Sequence, residues 1–423
     1  MTDAARVVER TYLLLTLLTT LAASFIWGIN TLFLLDAGLS NLEAFAANAF
    51  FTAGQVMFEV PTGVVADTRG RRFSFLLGAG TLLASTLLYL VMWQLQAPLA
   101  GWAIASILLG LGFTFFSGAT EAWLVDALNA SGFRGSLETI FGRAQVVAGG
   151  AMLVGSVAGG IVAQLTNLGV PYVIRAAMLG VTLLIALRFM RDIGFTPRRG
   201  ASAVADVRNV LGGAIDGGLR NRPVRWLMLA APFNAGVGIF AFYALQPYLL
   251  ELYGDPSAYS VAGLAAAMIA GSQIVGGLIV PWARRLFRRR TDALIVGGIL
   301  NVGVLAFIGL TDSFLIALVL LAAWTMIFAI EAPLRHAFIN GLIPSEQRAT
   351  VLSFDALMGS SGGVVIQPAL GRVADVYGYS VSYVAGAAIQ ALAVPFAVLA
   401  RRERAPSDPI SRVAEPAGPP AAP

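Results

Sequence analysis

Three carboxylates interrupt the apolar runs of this chain: Glu59, Glu121 and Glu331. A carboxylate in such a run must face water, pair with a cation or hold a proton, because its charged form is expensive to desolvate. Each therefore has two readings. One is proton exchange as the surroundings change. The other is local pairing: Glu331 stands four residues before Arg335, a favourable helical spacing for an ion pair, and Glu59 lies near the Arg69, Arg71, Arg72 run. Arg175 either attracts an anion or snorkels its stem to an interface. Gln55, Asn234 and Gln273, with the aromatics Trp27, Phe50, Phe113, Phe116, Phe240 and Tyr243, either line a cavity or hold helices together. Other chemistries are excluded. Cys is absent, which removes disulfides and thiolate metal sites, and His336 is the only His. With no complete phosphate-binding glycine loop either, the sequence points to no metal, no cofactor and no enzymatic reaction.

The elements that must position these groups follow from composition. The hydrophobic class makes up 57% of the 423 residues and charged residues only 12%, about half the usual globular share. The 46 Gly suit closely packed membrane helices. Apolar runs predict helices at 11–35, 43–66, 73–93, 99–128, 140–164, 170–189, 224–250, 259–282, 293–311, 314–340, 350–371 and 380–400. The expected fold is an all-α polytopic membrane protein of twelve transmembrane helices. It divides into an N-terminal six-helix bundle (1–189), a cytoplasmic linker (190–223), a C-terminal six-helix bundle (224–400) and a disordered cytoplasmic tail (401–423). Within the linker, 204–219 reads either as a short interfacial helix or as a partly ordered connection.

Charge placement orients the bundle. All 28 basic residues are Arg. With the amino terminus inside, Arg69, Arg71, Arg72, Arg134, Arg143, the Arg284–Arg290 run, Arg348 and the Arg of the linker and tail fall on the cytoplasmic side, whereas Asp36, Glu43, Glu251, Asp255 and Asp312 fall in external loops. The positive-inside rule accounts for this asymmetry without nucleic acid, places both termini in the cytoplasm, and predicts an even number of passes. The halves also repeat: Glu121-Ala122-Trp123-Leu124 precedes Ala127 as Glu331-Ala332-Pro333-Leu334 precedes Ala337, with a 210-residue offset between 121 and 331. Repeated bundles suit alternating access to a central cavity.

The loop after the second helix reads Gly63-Val64-Val65-Ala66-Asp67-Thr68-Arg69-Gly70-Arg71-Arg72. In residue types, spacing and location it resembles the signature of the major facilitator superfamily, and the resemblance spans roughly residues 11–400. It implies that Gly63, Asp67, Arg69, Gly70, Arg71 and Arg72 form a cytoplasmic latch that loosens during state exchange, with Asp126 as the partner of Arg71; a merely topogenic charged loop is the alternative. The fifth helix carries Gly142, Ala151, Gly155, Ser156, Gly159 and Gly160. This resembles the antiporter-associated glycine motif, with Ala151 and Ser156 in place of the expected Gly and Pro, and tight helix packing is its other reading. The fourth helix departs from the drug–proton antiporters, since Leu108–Gly118 contains no Arg.

The resemblance, in its drug and small-molecule exporter branch, implies a secondary active transporter, most simply proton-coupled efflux of a hydrophobic or amphiphilic small molecule. A uniporter or importer of a small metabolite and a transporter-derived receptor or scaffold are the alternatives. Expected partners are the substrate, protons and the lipid bilayer, with no nucleic acid and no obligate protein partner.

Overall fold

The computed structural model describes residues 2–197, 212, 215–343 and 345–410. Among them the chain is helical, with a single isolated bridge between Arg289 and Pro409 and no named strand. The first half comprises α1 (Asp3–Trp27), α2 (Asn30–Asp36), α3 (Asn41–Arg69), α4 (Arg71–Gln94), α5 (Leu99–Thr114), α6 (Ala119–Ala130), α7 (Leu137–Leu165) and α8 (Gly169–Phe189). The second comprises α9 (Arg222–Tyr253), α10 (Tyr259–Ala283), α11 (Arg290–Leu310), α12 (Phe314–Asn340), α13 (Ser345–Ala391) and α14 (Ala393–Arg402).

Among the described residues, eleven helical stretches are long and apolar enough to cross a membrane. The last, 350–402, has 53 residues, about 80 Å of helix at 1.5 Å per residue, far more than one crossing needs. It reverses at Gly378, whose φ of +83° only glycine adopts without strain, and so supplies two passes. That makes twelve passes in two sets of six, an all-α polytopic membrane protein as the apolar runs predict. At most half of any spanning window is buried inside the protein. The remainder, including Leu278, Trp282 and Leu165, presents large apolar side chains outward, where lipid is their natural solvent.

Helix ends run past the predicted bounds where polar residues cap or pair them. Glu9, buried in the first turns of α1, accepts from Arg143 of α7 at 2.6 Å. Ser40 and Glu43 form a capping box that starts α3. Gly70 turns the chain between α3 and α4 at φ +112°. The predicted fourth helix, 99–128, is not continuous: it breaks between α5 and α6, where Gly118 has φ +65°. Hydroxyls of the neighbouring passes satisfy the carbonyls freed there, Thr62 donating to Thr114 O at 3.1 Å and Ser74 to Phe115 O at 2.9 Å.

The linker and tail differ from a plain spacer and a free end. Residues 190–195 lie against the first half: Met190 is fully buried and the Trp123 indole donates to Arg191 O at 2.7 Å. Most of the predicted 204–219 segment lies outside the described residues; its end, Ile215–Leu219, forms one wide helical turn whose Gly218 packs on Met228 and Val351. The chain after Arg402 folds back on the second half. Asp408 is buried and accepts from the backbone and hydroxyl of Thr291 at 2.9 and 2.8 Å, which caps α11. Residues 411–423 lie outside the described residues.

Backbone contact at small residues sets how the passes meet. A Cβ on Gly159 would fall 1.9 Å from Phe25 O, and one on Gly155 as close to the Ser24 hydroxyl, so α7 and α1 touch main chain to main chain. Gly160 does the same across the halves: its Cβ would stand 2.7 Å from Tyr259 O and 3.0 Å from Gly263 Cα. Ala151 and Ser156 are buried on this helix, whereas a Cβ on Gly142 would meet nothing within 4 Å. The α7 motif is thus a packing surface over residues 151–160.

Because this crossing has no room for branching, Gly160→Val overpacks it, at a typical cost of about 1–3 kcal/mol. The variant should melt below the wild type in detergent, while Gly142→Val should melt with it. Equal melting temperatures for Gly160→Val and wild type would refute the crossing.

Candidate functional site

Most of the hydrogen bonds between the two halves gather at one face, with one more, from Gln367 Nε2 to Thr52 Oγ1 at 3.4 Å, beside a cavity. The termini, the Asp67–Arg72 turn and residues 190–195 occupy the other, here called the terminus face. At the face opposite it, Asp375 of α13 accepts from the backbone N–H groups of Asn41 and Leu42 at 2.8 and 2.9 Å, capping α3 from the other half of the molecule. The Tyr379 hydroxyl donates to the Asn41 side chain. Gln246 of α9 enters the break between α1 and α2, accepting from Thr31 N at 2.8 Å and donating to Trp27 O at 2.9 Å. Gln164 accepts from Ser260 N at 3.0 Å. The apolar clusters cross between halves here too, through Leu250, Ala258 and Ala262 on one side and Phe45 on the other. In the loop at this face the Ser257 hydroxyl and backbone hold the Asp255 carboxyl below its ordinary range. Among the described residues other than Arg220, no hydrogen bond or ion pair joins the halves at the terminus face.

Adjoining cavities run from one half into the other, two of them walled by residues of both. One of about 250 Å³ is walled by Trp27, Phe51, Gln55, Phe113, Arg175 and Tyr243, among others. It shares Trp27, Phe51, Gln55 and Tyr243 with a cavity of about 360 Å³ that also touches Gln273 and Trp324. This in turn shares Ala235, Ile239, Phe328 and Ser360 with one of about 550 Å³ reaching Asn234, Glu331, Arg335 and His336. On the other side, Phe116 and Glu121 line a cavity of about 320 Å³. The structure therefore gathers Gln55, Phe113, Phe116, Asn234, Tyr243 and Gln273 along one run of cavities. Phe240 instead packs in the core against Phe45, at 4.8 Å between ring centroids, and Phe50 is exposed.

The carboxylates fall into different surroundings. Glu59 accepts from the Ser117 hydroxyl, 2.6 Å away in the break between α5 and α6, and not from an Arg of the nearby turn. Glu121 is exposed to its cavity. Arg335 does not pair with Glu331. Its guanidinium makes a two-pronged ion pair with buried Asp355 on α13, at 2.5 and 2.6 Å, and donates to Leu227 O at 3.1 Å. Glu331 is left against α11, one oxygen accepting a long 3.4 Å bond from Asn301 and the other buried without a partner. A Cβ on Gly297 would stand 2.0 Å from that carboxyl group, so the glycine makes room for it. Arg175 does not snorkel: it is 2% exposed, inside the first half.

At the terminus face Arg71 bonds Asp67 at 2.5 Å and approaches Asp126 at 4.0 Å, all within the first half. Arg69 is exposed, its guanidinium over the Phe73 ring. Arg72 donates to Leu187 O at 2.9 Å. A Cβ on Gly63 would meet nothing within 4 Å, so no close helix contact occurs there in this conformation. Two groups that sequence reasoning missed complete the picture. Asp192 accepts from Arg72 N at 2.8 Å and caps α4 beside Gly70, where a Cβ would clash with its carboxyl at 2.3 Å. Asp375 closes the opposite face. Both lie beyond a helix they cap only in space, and nothing in their local sequence marks the partner.

The family model of the Major Facilitator Superfamily matches residues 12–366. No curated protein matches the chain. Among solved structures, the nucleoside transporter NupG superimposes with a TM-score of 0.76 at 11% identity, covering 94% of this chain and 99% of its own. A bacterial homologue of the human lysosomal transporter Spinster, in an inward-facing and occupied conformation, gives 0.72 at 16% identity, covering 95% and 98%. The D-xylose–proton symporter gives 0.64 at 15% identity, covering 93% and 96%. At these identities the likeness carries the fold.

Since Asp375 holds the closed face through charge-assisted bonds, Asp375→Ala should loosen it. The chain lacks Cys, so a single Cys at Gln55 reports access to the cavity without background. Maleimide labelling from the face opposite the termini should rise about tenfold in Gln55→Cys/Asp375→Ala over Gln55→Cys alone. Unchanged labelling would show that Asp375 does not hold that face.

Proposed function

The chain belongs to the Major Facilitator Superfamily, and on that premise we propose that it is a proton-coupled secondary transporter that exports an amphiphilic small molecule by alternating access. The halves rock about their shared cavity, opening one face as the other closes. We place it in the inner membrane with both termini cytoplasmic, as the Arg distribution requires. In that orientation the open face is cytoplasmic, and the state described receives substrate from the cell. The α7 packing surface, running along both α1 and α10, is suited to the rocking contact.

Glu331 is the observation that carries the coupling. It lies on a cavity wall with one buried oxygen unpartnered, beside an Asn301 whose own carbonyl oxygen is also buried and unpartnered. The two residues touch through their other atoms, Asn301 Nδ2 and Glu331 Oε2, so each keeps an acceptor unused. A proton on Glu331 removes its charge and turns one of its oxygens into a donor. Loss of the proton leaves a bare charge that must reach water or a cation, which favours a different arrangement of α11 and α12. Glu59, satisfied by Ser117, and Glu121, open to its cavity, do not present this either-or. The Asp67–Arg71–Asp126 cluster, capped by Asp192, is the latch element in this reading: it holds α3, α4 and α6 together as one end of the rocking body.

Reconstitution in proteoliposomes tests the coupling. An imposed proton gradient should drive uptake of amphiphilic compounds from a panel. Glu331→Gln, which mimics the protonated form, should cut gradient-driven flux at least about tenfold while leaving substrate exchange without a gradient near the wild-type rate. Glu59→Gln and Glu121→Gln should keep most of the gradient response. Transport indifferent to the gradient in wild type would favour a uniporter and end the coupled reading.

A further inference from the structure

Arg175 is a cation that the protein does not neutralise. It sits on α8, 2% exposed, at the wall shared by the 250 Å³ cavity and a neighbouring one of about 190 Å³. Its Nε donates to the Thr86 hydroxyl at 3.1 Å and its Nη1 to Ala22 O at 3.4 Å, both neutral acceptors. The titratable groups facing it are the phenols Tyr89 and Tyr172 of its own half and Tyr243 of the other. Among the described residues no carboxylate comes within ion-pair distance of it. A guanidinium withdrawn from water in a membrane is costly without a counter-charge, and this one opens onto a cavity.

The same cavity presents further donors with nothing to give to. Asn48 is 2% exposed and its Nδ2 is buried without a partner. The nearby acceptors are already used: Asn48 Oδ1 takes the Asn30 amide at 2.8 Å, and Asn30 Oδ1 takes the Tyr172 hydroxyl at 2.9 Å. The Tyr243 hydroxyl, reaching the cavity from the second half, makes no hydrogen bond among the described residues. A positive charge and two idle donors belong to residues that line this one cavity, beside aromatic walls.

We propose that the transported molecule carries a carboxylate, held by Arg175, Asn48 and Tyr243, while its apolar body lies against Trp27, Phe51 and Phe113. This rests on the transport reading for its consequence but not for its test, which measures binding alone. Contact with Arg175 from one half and Tyr243 from the other would also let the carboxylate bridge the halves.

Matched probes separate charge from shape: indole-3-acetate, indole-3-acetamide and tryptamine share one ring, and 4-phenylbutyrate, 4-phenylbutanamide and 4-phenylbutylamine share another. Affinities are measured by calorimetry on the full chain in detergent. Each carboxylate should bind at least about tenfold tighter than its amide, and the amines weakest. Arg175→Gln should erase that preference while leaving amide affinity within about twofold, and Arg175→Lys should retain part of it. Tyr243→Phe, which keeps the ring, should weaken only the carboxylates; it serves as the readout if Arg175→Gln does not fold. Equal affinity for carboxylate and amide, a preference surviving in Arg175→Gln, or no carboxylate binding at millimolar concentration would each overturn the proposal. These affinities need neither flux nor a gradient, so absence of proton-driven flux in wild type with retained carboxylate preference would count against the coupling alone.

Discussion

The price of a charge or an unpaired polar group in hydrocarbon governs this molecule. Most of its membrane-level polar groups are satisfied within the protein: Glu9 by Arg143, Asp355 by Arg335, Glu59 by Ser117, the carbonyls of the α5–α6 break by Thr62 and Ser74. Against that background the exceptions acquire meaning. Glu331 and Arg175 are withdrawn from bulk water, lack an ionic partner among the described residues, and both border cavities. Other buried polar atoms also lack a partner, Asn48 Nδ2 and Gln390 Oε1 among them, but these two carry a full charge when ionised, and it is the charge that the proposed ligand and proton would meet.

The same accounting explains why one face can open. At the closed face the joints between halves are hydrogen bonds to helix ends and breaks: Asp375 on the first turn of α3, Gln246 in the gap after α1, Gln164 on the first turn of α10. These backbone groups have no intrahelical partner and can be satisfied by water once the face opens. Breaking them exchanges one solvation for another and costs little net energy. The contact of Gly160 with Gly263 is different, since close packing cannot stretch gradually. It is suited to act as a pivot while the polar joints are made and broken.

The fold was legible because its causes are local or compositional. Apolar runs set the passes, and Gly and charged turns ended them. Cavity residues such as Gln55, Asn234 and Gln273 were legible for a related reason: an amide in a membrane pass has few places to go. The partners were not. Spacing favoured Glu331 with Arg335, yet Arg335 chose Asp355, twenty residues on and on the next helix, because two-pronged geometry outweighs a neighbour on the same helix. Arg175 read as an interfacial residue because its depth depends on where α8 sits among α1 and α4. The break at Gly118 was hidden inside an unbroken apolar run, since its cost is met by hydroxyls on other helices.

Arg175 and Glu331 sit in opposite halves, and the cavities between them adjoin through shared walls. In the proposed reading, that arrangement gives coupling a physical route that requires no direct contact. A carboxylate arriving at Arg175 neutralises the first half's unpaired charge and can reach Tyr243 on α9, drawing the halves together. A proton on Glu331 removes the second half's charge and permits α11 and α12 to pack closely. Closure of the cavity desolvates both sites at once, so it is cheapest when both charges are met, whichever ligand arrives first. Loading with only one leaves a bare charge in a shrinking cavity. The cost of burying that charge, and not a dedicated mechanical link, is what would tie the two ligands together.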